Sequence, residues 1–223
     1  MSLNRNSSSG FTLVEMLTVI AIIGILAAIA FPVFGRIQDG SKQAKSVSNL
    51  RQIGVLHQQW INDHDGMMIV VSPIGENGWA AAWTSHFAVM IGLNESVNTP
   101  PPAVTSANGT IFENPFVKAA QDLRGHAGWG FNTELGNNPT PSTADHKRFI
   151  NVTHPSQTIA FGQTGNDIAD WTNYIAPNSN QLYVHNNKTI IGWLDGHVTL
   201  EPPDIAWSSA KGKKNYYWLL RKD

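Results

Sequence analysis

One acid, Glu15, interrupts the otherwise uncharged run from Phe11 to Phe34. An ionised carboxylate in or beside a membrane is costly, so it is either paired and functional or set at the interface where its oxygens reach water. Spacing alone leaves both readings open. A second candidate constellation is His185, Asp195 and His197, residue types that suit a metal. The competing reading is that Asp195, in an Asp-Gly pair, serves the backbone of a tight turn with its side chain in solvent. A third is the oxygen-rich stretch Asn166, Asp167, Asp170, Asn173, Asn178 and Asn180, which could hold calcium or simply be a solvated loop. Asn62-Asp63-His64-Asp65-Gly66 superficially resembles a calcium loop. Aligning Gly66 with the loop glycine puts Ile61 and Ser72 where Asp and Glu are needed, so that reading fails. The chain has no Gly-x-Ser-x-Gly, no His-Glu-x-x-His, no phosphate loop and no cysteine nucleophile, so an enzyme is not expected.

The elements that must position these residues begin with the apolar run. The twenty-four residues Phe11 to Phe34 form, as a helix, a rod of roughly 36 Å, enough to cross a bilayer core with some tilt. Met1 to Gly10 precede it as a polar segment with one Arg, Arg5. A secretory signal peptide carries its small-residue cleavage site after the apolar run, where Ala27, Ala28 and Ala30 would serve; here the small residue Gly10 lies before it. Helical spacing continues through Ala44, Val47, Leu50, Ile53 or Gly54, Leu56 or His57, and Trp60, with Lys42, Lys45, Ser48, Arg51, Gln52 and Gln58 on the other face. The pattern predicts one helix from about Thr12 to about Ile61, loosened near Pro32, Gly35 and Gly40, whose second half packs on a sheet.

Beyond residue 65 the chain is rich in Gly, Pro and Trp, which predicts a loop-rich region with aromatic anchors. Met68 to Val71 reads as a strand, Trp79 to Leu93 as a short helix, and Gly125 to Asn138 as loops around Trp129 and Phe131. Gln157 to Phe161 reads as a strand. Thr189 to Leu194 and His197 to Leu200 read as a hairpin turning on Asp195-Gly196, with positive φ at both central positions. A net charge of −1 with 14% charged residues lacks the clustered basic surface that binding to nucleic acid requires. The absence of cysteine does not decide the compartment.

Gly10-Phe11-Thr12-Leu13-Val14-Glu15 followed by an apolar helix resembles the cleavage and methylation site of type IV pilins and type II secretion pseudopilins. The resemblance implies that a prepilin peptidase cuts between Gly10 and Phe11 and methylates the Phe11 amine. It further implies that Glu15 meets the N-terminal amine of a neighbouring subunit during assembly, and that Pro32 kinks the helix. An ammonium beside a carboxylate in low dielectric recovers much of the desolvation cost of either alone. The cluster Arg36, Lys42, Lys45 and Arg51 after the apolar run favours the reverse orientation by the positive-inside rule, and the longer cleavage motif outweighs it. Separately, His185, nine intervening residues and Asp195-Gly196 resemble the H-x9-DG domain found behind prepilin-type leaders, although familiar versions carry an Asp where this chain has Gln163.

The expected fold class is α+β: a long N-terminal helix, its first half transmembrane, packed on a small antiparallel sheet in the manner of a pilin. The expected divisions are a leader at 1–10, a membrane or filament-core helix at 11–34, an amphipathic continuation at 35–62 and a head at 63–223, with the H-x9-DG region at about 150–200. The expected function is a structural subunit of a type II secretion pseudopilus or type IV pilus-like filament. The lack of a cysteine loop tilts the choice toward the pseudopilus. Expected partners are the prepilin peptidase, other pilin-like subunits and an inner-membrane assembly platform, with the head in the periplasm before extraction. Calcium is the one cofactor considered. The alternatives are a membrane-anchored, non-polymerising ligand-binding protein, with carbohydrate as one candidate ligand, and a membrane-tethered metalloenzyme.

Overall fold

A computed structural model describes residues 12–69, 83–93, 109–116, 128–132, 135, 147–163, 174–175, 184 and 187–202. The apolar run and the amphipathic stripe behind it form one helix, α1, Leu13–Asp63, with Pro32 inside it. Its end is closed by a Schellman pattern. Asp65 adopts positive φ (53°), Gly66 follows at 78°, and the Gly66 amide donates to the Ile61 carbonyl at 2.8 Å. The chain divides into two units, one ending at Ser41 and the other beginning at Lys42.

In the first unit, every large hydrophobic side chain from Leu13 to Ile37 is exposed. The 42–63 part of α1 instead buries Ser46, Asn49, Leu50, Ile53, Gly54, His57 and Ile61. The buried stripe differs from the expected one at its start: Ala44 is exposed, while polar Ser46 and Asn49 are inside. Asn49 is inside because its amide donates to the Glu113 carbonyl at 2.8 Å, fastening the 109–116 segment to the helix.

Among the described residues, five strands and a second helix complete the second unit's framework. They are α2 (Trp83–Met90), β1 (Trp129–Asn132), β2 (Ile159–Gln163), β3 (Tyr174–Ile175), β4 (Thr189–Trp193) and β5 (Val198–Glu201), the strands lying in the order β3-β1-β2-β4-β5. All pairs are antiparallel except β1–β3, which is parallel. β1, β2 and β4 are buried along their whole lengths, so none shows a polar–apolar alternation. This is why Trp129–Asn132 reads as loop by sequence yet forms a central strand. Gly130 pairs with Gly162, and Phe131 lies directly opposite Phe161.

Three other expectations shift. Pro155–Gln157 is a 3-10 turn, so strand β2 starts two residues later than expected. Met67 makes only an isolated bridge to Arg148, while Val70 and Val71 lie outside the described residues. The expected helix is present over Trp83–Met90, and Trp79–Ala82 lie outside. Trp83, Phe87, Phe112, Trp129, Phe131 and Phe161 are fully or almost fully buried and, with Leu50 and Ile53 of α1, make the core. Burying each such side chain contributes roughly 1.5–3 kcal/mol.

Candidate functional site

The site that sequence singled out most sharply is the first turn of α1. Thr12 is its N-cap and Glu15 its third helical residue, and the two form a reciprocal capping box. The Glu15 amide donates to Thr12 Oγ1 at 3.3 Å, and the Thr12 amide donates to Glu15 Oε2 at 2.8 Å. The Thr12 hydroxyl donates to the same Oε2 at 2.8 Å. Both intramolecular bonds therefore fall on one carboxylate oxygen. A carboxylate has about four acceptor positions, so Oε1 retains capacity for a further donor. One turn on, the Thr18 hydroxyl returns its bond to the Glu15 carbonyl at 2.9 Å.

Thr12 is the capping residue whose role reading the sequence missed. Its signal was present as Thr-x-x-Glu immediately before an apolar run. Beyond Thr18, whose hydroxyl is turned back onto the helix, α1 carries no polar or charged side chain until Arg36, and Pro32 lacks an amide donor of its own. By length and composition the helix can cross a membrane.

Residues 5–31 match the family described as the prokaryotic N-terminal methylation motif. Over 156 residues, 63% of this chain and 70% of the relative, the sequence is 34% identical to the type IV major pilin protein PilA of Myxococcus xanthus (strain DK1622). The chain belongs to the type IV pilin family. No solved structure matches it.

The other candidate residues of this pilin-like chain divide into those the structure explains and those beyond its described part. Gly10, Phe11, His185 and the Asn166–Asn180 calcium candidates lie outside the described residues. Asp195 and Gly196 sit in the β4–β5 connection, which is one residue longer than expected. The Trp193 amide donates to the His197 carbonyl and the Gly196 amide to the Trp193 carbonyl, both at 2.9 Å. Leu194-Asp195-Gly196 is thus a three-residue loop with positive φ at Gly196 (93°) and not at Asp195.

The Asp195 carboxylate accepts the His197 amide at 3.1 Å and bonds the His197 ring at Nδ1, and that ring stacks on Trp193. So Asp195 and His197 are brought together, with the acid occupied in ordering the turn. Among the described residues no group of three His, Cys, Asp or Glu could hold a metal. The loop seats against α1: a Cβ added at Gly54 would lie 3.5 Å from the Gly196 Cα, and Gln58 Nε2 donates to the Leu194 carbonyl.

Gln163, where the H-x9-DG pattern often has an acid, is fully buried. Its amide donates to Asn114 Oδ1 at 3.4 Å, while its Oε1 accepts the Ile190 amide at 3.0 Å. A carboxylate could only accept, and would leave Asn114 without that donor.

Proposed function

We propose that this pilin-like chain is a filament subunit cut between Gly10 and Phe11 by a prepilin peptidase and methylated at the Phe11 amine. The mature chain waits in the inner membrane through the 11–34 segment, with its head in the periplasm, until an assembly platform extracts it. Copies then pack through the first half of α1, and Glu15 receives the ammonium of a neighbour. The observation that carries this reading is the state of Glu15: one oxygen is held within its own turn and the other retains acceptor capacity, on a helical stretch to Phe34 whose other side chains, Thr18 aside, are apolar, the large ones exposed. Pro32 supplies the bend that such packing uses. The likeness to a type IV major pilin favours a type IV pilus-like filament over a secretion pseudopilus, against the weaker preference drawn from the missing cysteines.

Mass spectrometry of the native N-terminus tests the processing step. A chain beginning at methylated Phe11 is expected; one that retains Met1 to Gly10, or is cut near Ala30, contradicts it. Replacing Glu15 with Val tests the assembly step. Cleavage should persist while sheared filaments disappear, and normal filaments would refute the role given to Glu15.

A further inference from the structure

His57 is an odd residue for the centre of a core. It projects from α1 with 1% of its surface exposed. Its ring lies 5.0 Å from that of Phe131 on β1, 5.4 Å from Phe161 on β2 and 6.4 Å from Phe87 on α2, measured between centroids. Its Nε2 is buried and has no hydrogen-bond partner among the described residues. A leucine would fill such a site without an orphaned polar atom, so packing alone does not account for an imidazole there.

We propose that His57 is an acid trigger, which keeps the head closed while neutral and opens the seam between α1, α2 and the sheet when it takes up a proton. The surroundings dictate the direction. No carboxylate is paired with His57 among the described residues, and the residues facing it from α2, β1 and β2 are phenylalanines. Phenyl faces attract a cation, but they cannot accept the two N–H bonds an imidazolium offers.

Burial accordingly lowers the His57 pKa to about 3. Two further imidazoles flank Trp60, on the same stretch of chain as His57. On α2, His86 sits edge-on to Trp60, 4.7 Å between centroids, and His64, in the turn after α1, stacks on the same indole at 3.6 Å. His86 is lowered to about 4, by burial first and by the His64 charge second. His64 and His86 thus share the Trp60 indole, and a proton on one opposes a proton on the other.

The sign follows from linkage. In the open state His57 regains its ordinary value of 6.5, so between pH 6.5 and about 3 the open state binds more protons and acid favours opening. For His57 alone, going from pH 7.5 to 5.0 raises the opening constant about thirtyfold.

The test is urea unfolding of the full chain in detergent micelles at both pH values, followed by the near-ultraviolet dichroism of the packed tryptophans. In His57→Leu the acid-dependent rise in the unfolding constant should be about thirtyfold smaller than in the wild type. His57→Gln, which cannot ionise, should behave likewise and serves if the leucine variant does not fold. A rise as large in either variant as in the wild type overturns the proposal. In the unsubstituted protein the His57 ring, followed by NMR, should stay neutral until the tryptophan signal is lost. Protonation near pH 6.5 in a still-packed head overturns it equally.

Discussion

Ile23 and Ile53 are the same side chain on the same helix, in opposite surroundings. Ile23 is 58% exposed in a stretch whose large hydrophobics are all uncovered, and Ile53 is fully buried against the sheet side of the second unit. Between them α1 changes what its apolar residues are for. In the 42–63 part they hold a domain together. In the 13–41 part the large ones are exposed among the described residues, and lipid or another copy covering them would make them stabilising. The comparison teaches that hydrophobicity locates a surface that must be covered, while its neighbours decide whether the cover is internal.

The sharpest way to break this contrast is to truncate both isoleucines. Ile53→Ala should destabilise the second unit by about 2–5 kcal/mol in urea unfolding, whereas Ile23→Ala in micelles should change it by less than about 0.5 kcal/mol. Comparable losses would mean that the first part of α1 packs on something within the chain. Next comes Gly196→Ala. With φ at 93° the position is strained for any side chain, and a loss of about 1–2 kcal/mol is expected. Asp195→Ala keeps the backbone geometry and should cost less, so a reversed order would show that the carboxylate, not the glycine, makes the turn.

A smaller effect belongs to the other end of the helix. Thr12→Val removes the cap, and amide exchange at residues 13 to 16 should rise a few-fold while strands β2 and β4 are untouched. The smallest is Lys45→Ala. This cation pairs with Glu113 at 2.7 Å but is half exposed, so about 0.2–1 kcal/mol is expected, shrinking with salt.

The same ion pair gives a pH signature. Burial pushes Glu113 upward, but the Lys45 and Gly109 hydrogen bonds and the Lys45 charge outweigh it, and its pKa is lowered overall. Its stabilisation is therefore present above the ordinary carboxylate value of 4.5 and is lost as pH falls below it. Glu113→Gln should flatten that acid limb.

Much of the helical framework was legible because its signals are local. The apolar run, the Asn-Asp-His-Asp-Gly stop and the Trp83–Met90 helix each announce themselves within a few turns of chain. The strands were less so. β1 has four residues, one of them glycine, and no alternation, because both its faces are covered. Asp195-Gly196 correctly marked a hairpin, yet the loop gained Leu194, since the carbonyl of that residue is claimed by Gln58 of α1. At the candidate site, Glu15 stood out as a charge among apolar residues. Thr12 did not, because a threonine draws attention only once its hydroxyl is seen to bond the acid.

The order of residues by itself determined a membrane-length apolar helix bearing one acid, an amphipathic continuation and a hairpin-bearing C-terminal region, since these follow from composition and period. Only the tertiary structure decided that Ser46 and Asn49 are inside and Ala44 outside, that Gln163 bridges Asn114 and Ile190, and that an imidazole is enclosed by three phenylalanines. Those outcomes depend on which distant segments meet, and no local periodicity encodes the partner of a buried polar atom.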